Sequence, residues 1–104
     1  MKLVQIIPLE RKRLYGAMVK KEAAIRKKGA GTFYRAGAKK RNEAKWKHTK
    51  YKGWINLGRG LSEVVTAEVN TLAPNEDWQL LSAFLGWLDR HFGDQVLAVN
   101  IQYQ

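Results

Sequence analysis

The chain has 104 residues, 45% of them hydrophobic, with no cysteine and a formal net charge of +10; it is long enough to enclose one hydrophobic core and too apolar for a disordered polyelectrolyte. The lack of cysteine excludes disulfides, thiolate zinc sites and cysteine nucleophiles. The charge is segregated: residues 1–60 carry 18 basic against 3 acidic side chains, whereas residues 61–104 carry only Arg90 against 6 acids.

A cationic surface this concentrated attracts polyanions and displaces their counterions. The expected partner is therefore RNA or DNA, with an acidic protein as the alternative. The start, MKLVQIIPLERKR, has too short an apolar run for a secretory leader, and no segment approaches the roughly 20 apolar residues of a membrane span. A single cytoplasmic domain over residues 1–104, with no membrane role, is expected.

Residues 3–7 are branched and apolar, which predicts a first strand that Pro8 ends by removing a backbone donor. From Leu9 to about residue 28 the pattern turns helical, with Leu14, Met18 and Ile25 in one row and Tyr15, Val19 and Ala23 beside it. Gly29 and Gly31 follow where such a helix stops. Residues 29–52 contain eight basic residues, one acid and three glycines, and are expected to form a basic loop or hairpin with AKKRNE as its tip. Residues 32–36 and 45–57 are strand-like. Alternation through 45–57 would place Trp46, His48, Lys50, Lys52 and Trp54 on one face, and Tyr51, Ile55 and Leu57 on the other.

Gly58-Arg59-Gly60 reads as a turn into a strand over residues 61–72, with Val65, Ala67 and Val69 on one side. Ala73-Pro74-Asn75 breaks that strand, and Glu76 and Asp77 suit the positive end of a second helix. On this helix Trp78, Leu81, Leu85, Leu88 and Phe92 form one apolar row and Leu80, Phe84 and Trp87 an adjoining one. Together they are wider than the usual stripe of roughly 100°. Gly93-Asp94 closes the helix, and residues 95–103 read as a last strand. The order strand, helix, strand, strand, helix, strand resembles the ferredoxin-like βαββαβ arrangement, an α+β two-layer sandwich. With residues 32–36 as a strand of their own, the middle is instead similar to a double-stranded-RNA-binding domain, αβββα, flanked by strands.

Aromatic rings interleaved with cations suit unpaired bases and phosphates together. Arg35, Lys39, Lys40, Arg41, Lys45, Trp46, Lys47, His48, Lys50, Lys52 and Trp54 are the candidate nucleic-acid contacts, with Phe33, Tyr34 and Tyr51 among them. An RRM surface is not expected, because residues 3–7 and 61–72 carry no aromatic side chain. The leading expectation is a non-enzymatic protein that contacts phosphates largely without sequence preference.

Two alternatives accompany it. The wide apolar arc of the second helix would leave Leu80, Phe84 and Trp87 for a partner, making the chain an interaction or inhibitor module or a homodimer. His48, set among lysines in KWKHTKYKGW, would serve as general acid or base in metal-independent RNA cleavage. In this it resembles small mRNA-cleaving toxins that carry a strand histidine on a compact basic domain. His91 falls in the apolar arc and reads as a packed histidine. Glu63 and Glu68 are an odd number of positions apart, on opposite strand faces, and GAGTF lacks the second half of a phosphate loop. Neither a metal nor a cofactor is expected.

Overall fold

A computed structural model describes residues 1–103. It is an α+β fold of six strands and two helices: β1 (Lys2–Pro8), α1 (Leu14–Lys27), β2 (Phe33–Ala36), β3 (Glu43–His48), β4 (Trp54–Arg59), β5 (Val65–Asn70), α2 (Asp77–Phe92) and β6 (Val96–Tyr103). The strands form one sheet in the order β2-β3-β4-β5-β1-β6, antiparallel throughout.

The sheet has two strands more than the four of the βαββαβ expectation, and one more than the flanked αβββα alternative. Residues 32–36 do supply a separate strand, β2. The segment 45–57 is not one strand but the end of β3, a turn and the start of β4. The turn is held by His48, whose Nδ1 accepts the backbone N–H of Lys50 at 3.0 Å and of Tyr51 at 3.1 Å. Gly53 completes it at φ +111°, where a Cβ would stand 2.3 Å from the Asn70 carbonyl oxygen. Only glycine allows β4 to approach the end of β5 so closely.

Helix α1 stops where its composition predicts. The Gly29 N–H donates to the Arg26 carbonyl at 2.9 Å and the Ala30 N–H to Ile25 at 3.2 Å, with Gly29 at φ +73°. This paired closure is the Schellman motif, which satisfies carbonyls that the helix end leaves open.

Strand alternation sorts the sheet into two faces. Val4, Ile6, Ile55, Leu57, Val65, Ala67 and Val69 are buried beneath the helices, and α1 adds Leu14, Tyr15 and Met18 to the same core. The open face carries Leu3, Gln5, Asn56, Thr66 and Glu68, which the register sets side by side across β1, β5 and β4.

The expectation that Leu80, Phe84 and Trp87 remain for a partner is corrected: all three are buried in the core. The added hairpin β2–β3 is the reason. Phe84 meets Phe33 edge-on with ring centroids 6.2 Å apart, and Trp87 meets Trp46 at 5.0 Å. A four-stranded sheet would leave that row of α2 bare, and two further strands cover it. Trp78, from the other row, is the apolar residue of α2 that stays exposed.

Candidate nucleic-acid interface

The hairpin β2–β3 and its neighbour β4 decide which of the candidate residues meet solvent. Residues directly opposite in an antiparallel pair share a face. Trp46 is opposite Ile55 and Ala44 opposite Leu57, so even positions of β3 lie with odd positions of β4. Trp46 and His48 consequently point under the helices, while Trp54 points out.

Trp46 is 0% exposed, and its ring is held by Phe33, Phe84 and Trp87. It cannot stack on a base. This corrects the expected grouping of Trp46, His48 and Trp54 on one face. Arg35 is opposite Trp46 and half-buried, and its Nε has no hydrogen-bond partner among the described residues. Its charge, and a hydrogen bond from its backbone, act on Glu22, a carboxylate buried in α1. Arg26 forms an ion pair with Glu22 at 3.2 Å whose geometry leaves Oε2 without a hydrogen bond. Burial raises the Glu22 pKa, against the lowering pull of Arg26 and Arg35. Arg35 therefore serves the junction of α1 and β2.

His48 is half-buried, edge-on to Phe33 at 4.8 Å and stacked on Tyr51 at 4.8 Å. Burial, and then the nearby Lys50 charge, lowers its pKa. With Nδ1 accepting two backbone N–H groups, the ring is the neutral tautomer with its proton on Nε2. His91 is half-buried and edge-on to Trp87, the packed position expected of it, and burial lowers its pKa as well.

What the fold does assemble is an outward row on β2, β3 and β4. Tyr34 is opposite Lys47, and Trp54, one position from the Trp46–Ile55 pair, continues the row to Asn70 on β5. The next row holds Lys45 opposite Asn56. The Lys45 ammonium lies 5.4 Å from the centroid of the Trp54 ring, within cation–π range. Tyr34 is 37% exposed and Trp54 half-buried. Strands lie about 4.8 Å apart, so Tyr34 and Trp54, two strands from each other, flank Lys47 at a spacing of about 10 Å.

A groove of about 470 Å³ continues this row, lined by Lys47, Lys52, Trp54, Thr71 and Leu72, with Glu76 also in its wall. A second, of about 400 Å³, lies beyond Lys45 and Asn56 and reaches Lys40 and Glu68. Lys39, Lys40 and Arg41 occupy the exposed loop between β2 and β3, where Lys40 pairs with Glu43 at 3.2 Å. Lys50 and Lys52 are exposed in the turn before β4, and Lys50 lies over the Tyr51 ring at 5.5 Å.

Sequence reasoning missed Leu72, which is 94% exposed beside Trp54 in the groove. The sequence pattern makes it the end of a strand that in fact finishes at Asn70, and its composition carries no signal for the difference.

Among the described residues, no group of three or more His, Cys, Asp or Glu side chains is placed to hold a metal ion. No helix among them is long and apolar enough to cross a membrane. Comparisons with family models, with curated proteins and with solved structures find no match to this chain.

Proposed function

We propose that this is a non-enzymatic nucleic-acid-binding protein that holds single-stranded RNA or DNA on the open face of β2, β3 and β4. The observation that carries the reading is the outward row Tyr34, Lys47, Trp54 with Lys45 beside the indole. Rings on a sheet surface accept the faces of unpaired bases, and the lysines between them meet the phosphates. A duplex keeps its base faces stacked inside and offers such rings nothing. Base edges find few fixed hydrogen-bonding partners in this row, so the binding is largely indifferent to sequence.

In the same reading, β6-β1-β5-β4 with the two helices is the ferredoxin-like sandwich, and β2–β3 is an added hairpin that carries the interface. This differs from an RRM, whose rings sit on the two central strands. The positions facing out on β1 and β5 are Leu3, Gln5, Ile7, Thr66, Glu68 and Asn70, without an aromatic among them. A cytoplasmic setting, where RNA and DNA are at hand, fits this role.

In this account His48 anchors a turn rather than cleaving RNA: with Nδ1 accepting from the backbone it organises, the proton lies on Nε2 and no free lone pair is left to act as a base. The test is a titration of labelled single-stranded and duplex oligonucleotides across salt concentrations, with substrate integrity followed in parallel. The expected result is tighter binding of single strands, a negative dependence on salt and intact RNA. Undetectable binding at low salt, or binding indifferent to salt, would overturn the reading.

A further inference from the structure

We propose that the chain forms a two-fold symmetric dimer by antiparallel pairing of β6 with β6 of a second copy, joining two six-stranded sheets into one. Strand β6 is an edge of the sheet, paired with β1 on one side; among the described residues no strand pairs with the other. An edge strand displays a row of unpaired N–H and C=O groups, and proteins that stay monomeric guard it with charge, proline or brevity. Strand β6 has none of these guards. It runs for eight residues, VLAVNIQY, without a charge or a proline. The opposite edge, β2, is four residues long and carries Arg35.

The apolar surface points the same way. Val99, Ile101 and Tyr103 are opposite Ile6, Val4 and Lys2 and so lie on the helix side of the sheet. Ile101 packs against the core, but the helices leave the ends of the strand open: Val99 is 36% and Tyr103 72% exposed, and Leu97, at the register break beside Val96, 65%. A neighbouring sheet with its own α2 would cover this margin.

The uncharged strand suits a second copy as its occupant, and the charge distribution permits one. Two chains of +10 each repel, and the repulsion is least when their basic parts are farthest apart. The sheet order puts β2, β3 and the cationic turns at one edge and β6 at the other, so pairing through β6 sends both cationic edges outward. A neutral strand paired with itself sets no like charges opposite each other. A charged peptide would find no counter-charge on β6.

The test is sedimentation of the intact chain over a concentration series, repeated for the double variant Leu97→Lys, Tyr103→Lys. Both side chains are exposed, and circular dichroism checks that the variant stays folded. The expected result is a wild-type dimer whose dissociation constant rises about tenfold or more in the variant. Since the chain lacks cysteine, single variants Ala98→Cys, Asn100→Cys and Gln102→Cys supply an independent readout. Strand pairing brings opposite Cα atoms to about 4.5–5.5 Å, so oxidation links two copies at the position nearest the axis, whereas Tyr34→Cys stays unlinked. A monomer at every concentration, a dimer that survives both lysines, or cross-linking through position 34 alone would overturn the proposal. None of these readouts depends on nucleic-acid binding.

Discussion

Trp46 stands directly opposite Ile55 between β3 and β4, and that pairing sends Trp46 inward and Trp54 outward. The two indoles therefore answer different experiments. Trp46→Ala removes a fully buried ring and is expected to cost about 3–5 kcal/mol of stability. Trp54→Ala is expected to leave the fold intact and weaken single-strand binding by about 1–3 kcal/mol, the usual worth of one stacked base. Trp54→Phe should recover most of that loss. Urea unfolding beside an anisotropy titration checks both, and equal effects of the two alanine variants on stability would contradict the assignment of faces.

Lysines that meet phosphates change the salt dependence, which a ring does not. Lys45→Gln with Lys47→Gln is expected to flatten the slope of log affinity against log salt by about 0.7 for each single-strand phosphate that is no longer neutralised. Neutralising Lys39, Lys40 and Arg41 together should lower affinity without loss of folding, because the three lie in an exposed loop. An unchanged slope in the Lys45, Lys47 variant would mean that other cations meet the phosphates.

Gly53→Ala is expected to destabilise the protein by at least about 2 kcal/mol. The new methyl would stand 2.3 Å from the Asn70 carbonyl and 2.6 Å from the Thr71 side chain, at a φ that alanine rarely adopts. Gly37→Ala is the control: its φ of +83° is also positive, with nothing within 4 Å of the added carbon. A larger loss of melting temperature at 53 than at 37 measures the steric part.

His48 is held neutral, and its lowered pKa makes stability depend on pH. Below the unfolded value of 6.5 the unfolded chain takes up a proton that the folded ring resists. Stability is thus fully present above that pH and declines as pH falls toward the lower folded pKa. His91 adds to the decline with the same sign. His48→Gln should shallow the acid-side loss in a series of urea melts, and an unchanged profile would deny the ring its neutral, backbone-bound state.

Glu22 contributes with the opposite sign. Its carboxyl is raised by burial from an ordinary 4.5, so folding favours the protonated form, and stability declines as pH rises from 4.5 toward the folded value. Glu22→Gln is expected to remove that component. A wild-type and variant difference that is constant between acid and neutral pH would show that the carboxyl titrates normally.

Much of the fold could be read from local signals. Gly29 marked the end of α1, Pro74 and the acids after it marked the approach to α2, and the alternation of Val65, Ala67 and Val69 marked the buried side of β5. Each depends on residues a few positions apart, and so does the concentration of charge in residues 1–60. The cations of the proposed interface were legible for the same reason.

The facing of the rings was not legible, because strand parity is inherited only while the strand continues. The turn that His48 and Gly53 close between β3 and β4 resets it, and the register of the hairpin, set by tertiary packing, determines the new phase. The wide apolar arc of α2 posed a related problem: sequence showed that Leu80, Phe84 and Trp87 needed cover, but not whether a partner or the chain's own hairpin would provide it. Composition and periodicity determined the two helices, several of the strands, the basic half and the core-forming residue types, but not the break of 45–57 into β3, a turn and β4. Tertiary structure alone decided that Trp46 fills the core, that Tyr34, Lys47 and Trp54 share a row, and that the uncharged β6 ends up at an edge, since each follows from contacts between segments far apart in the chain.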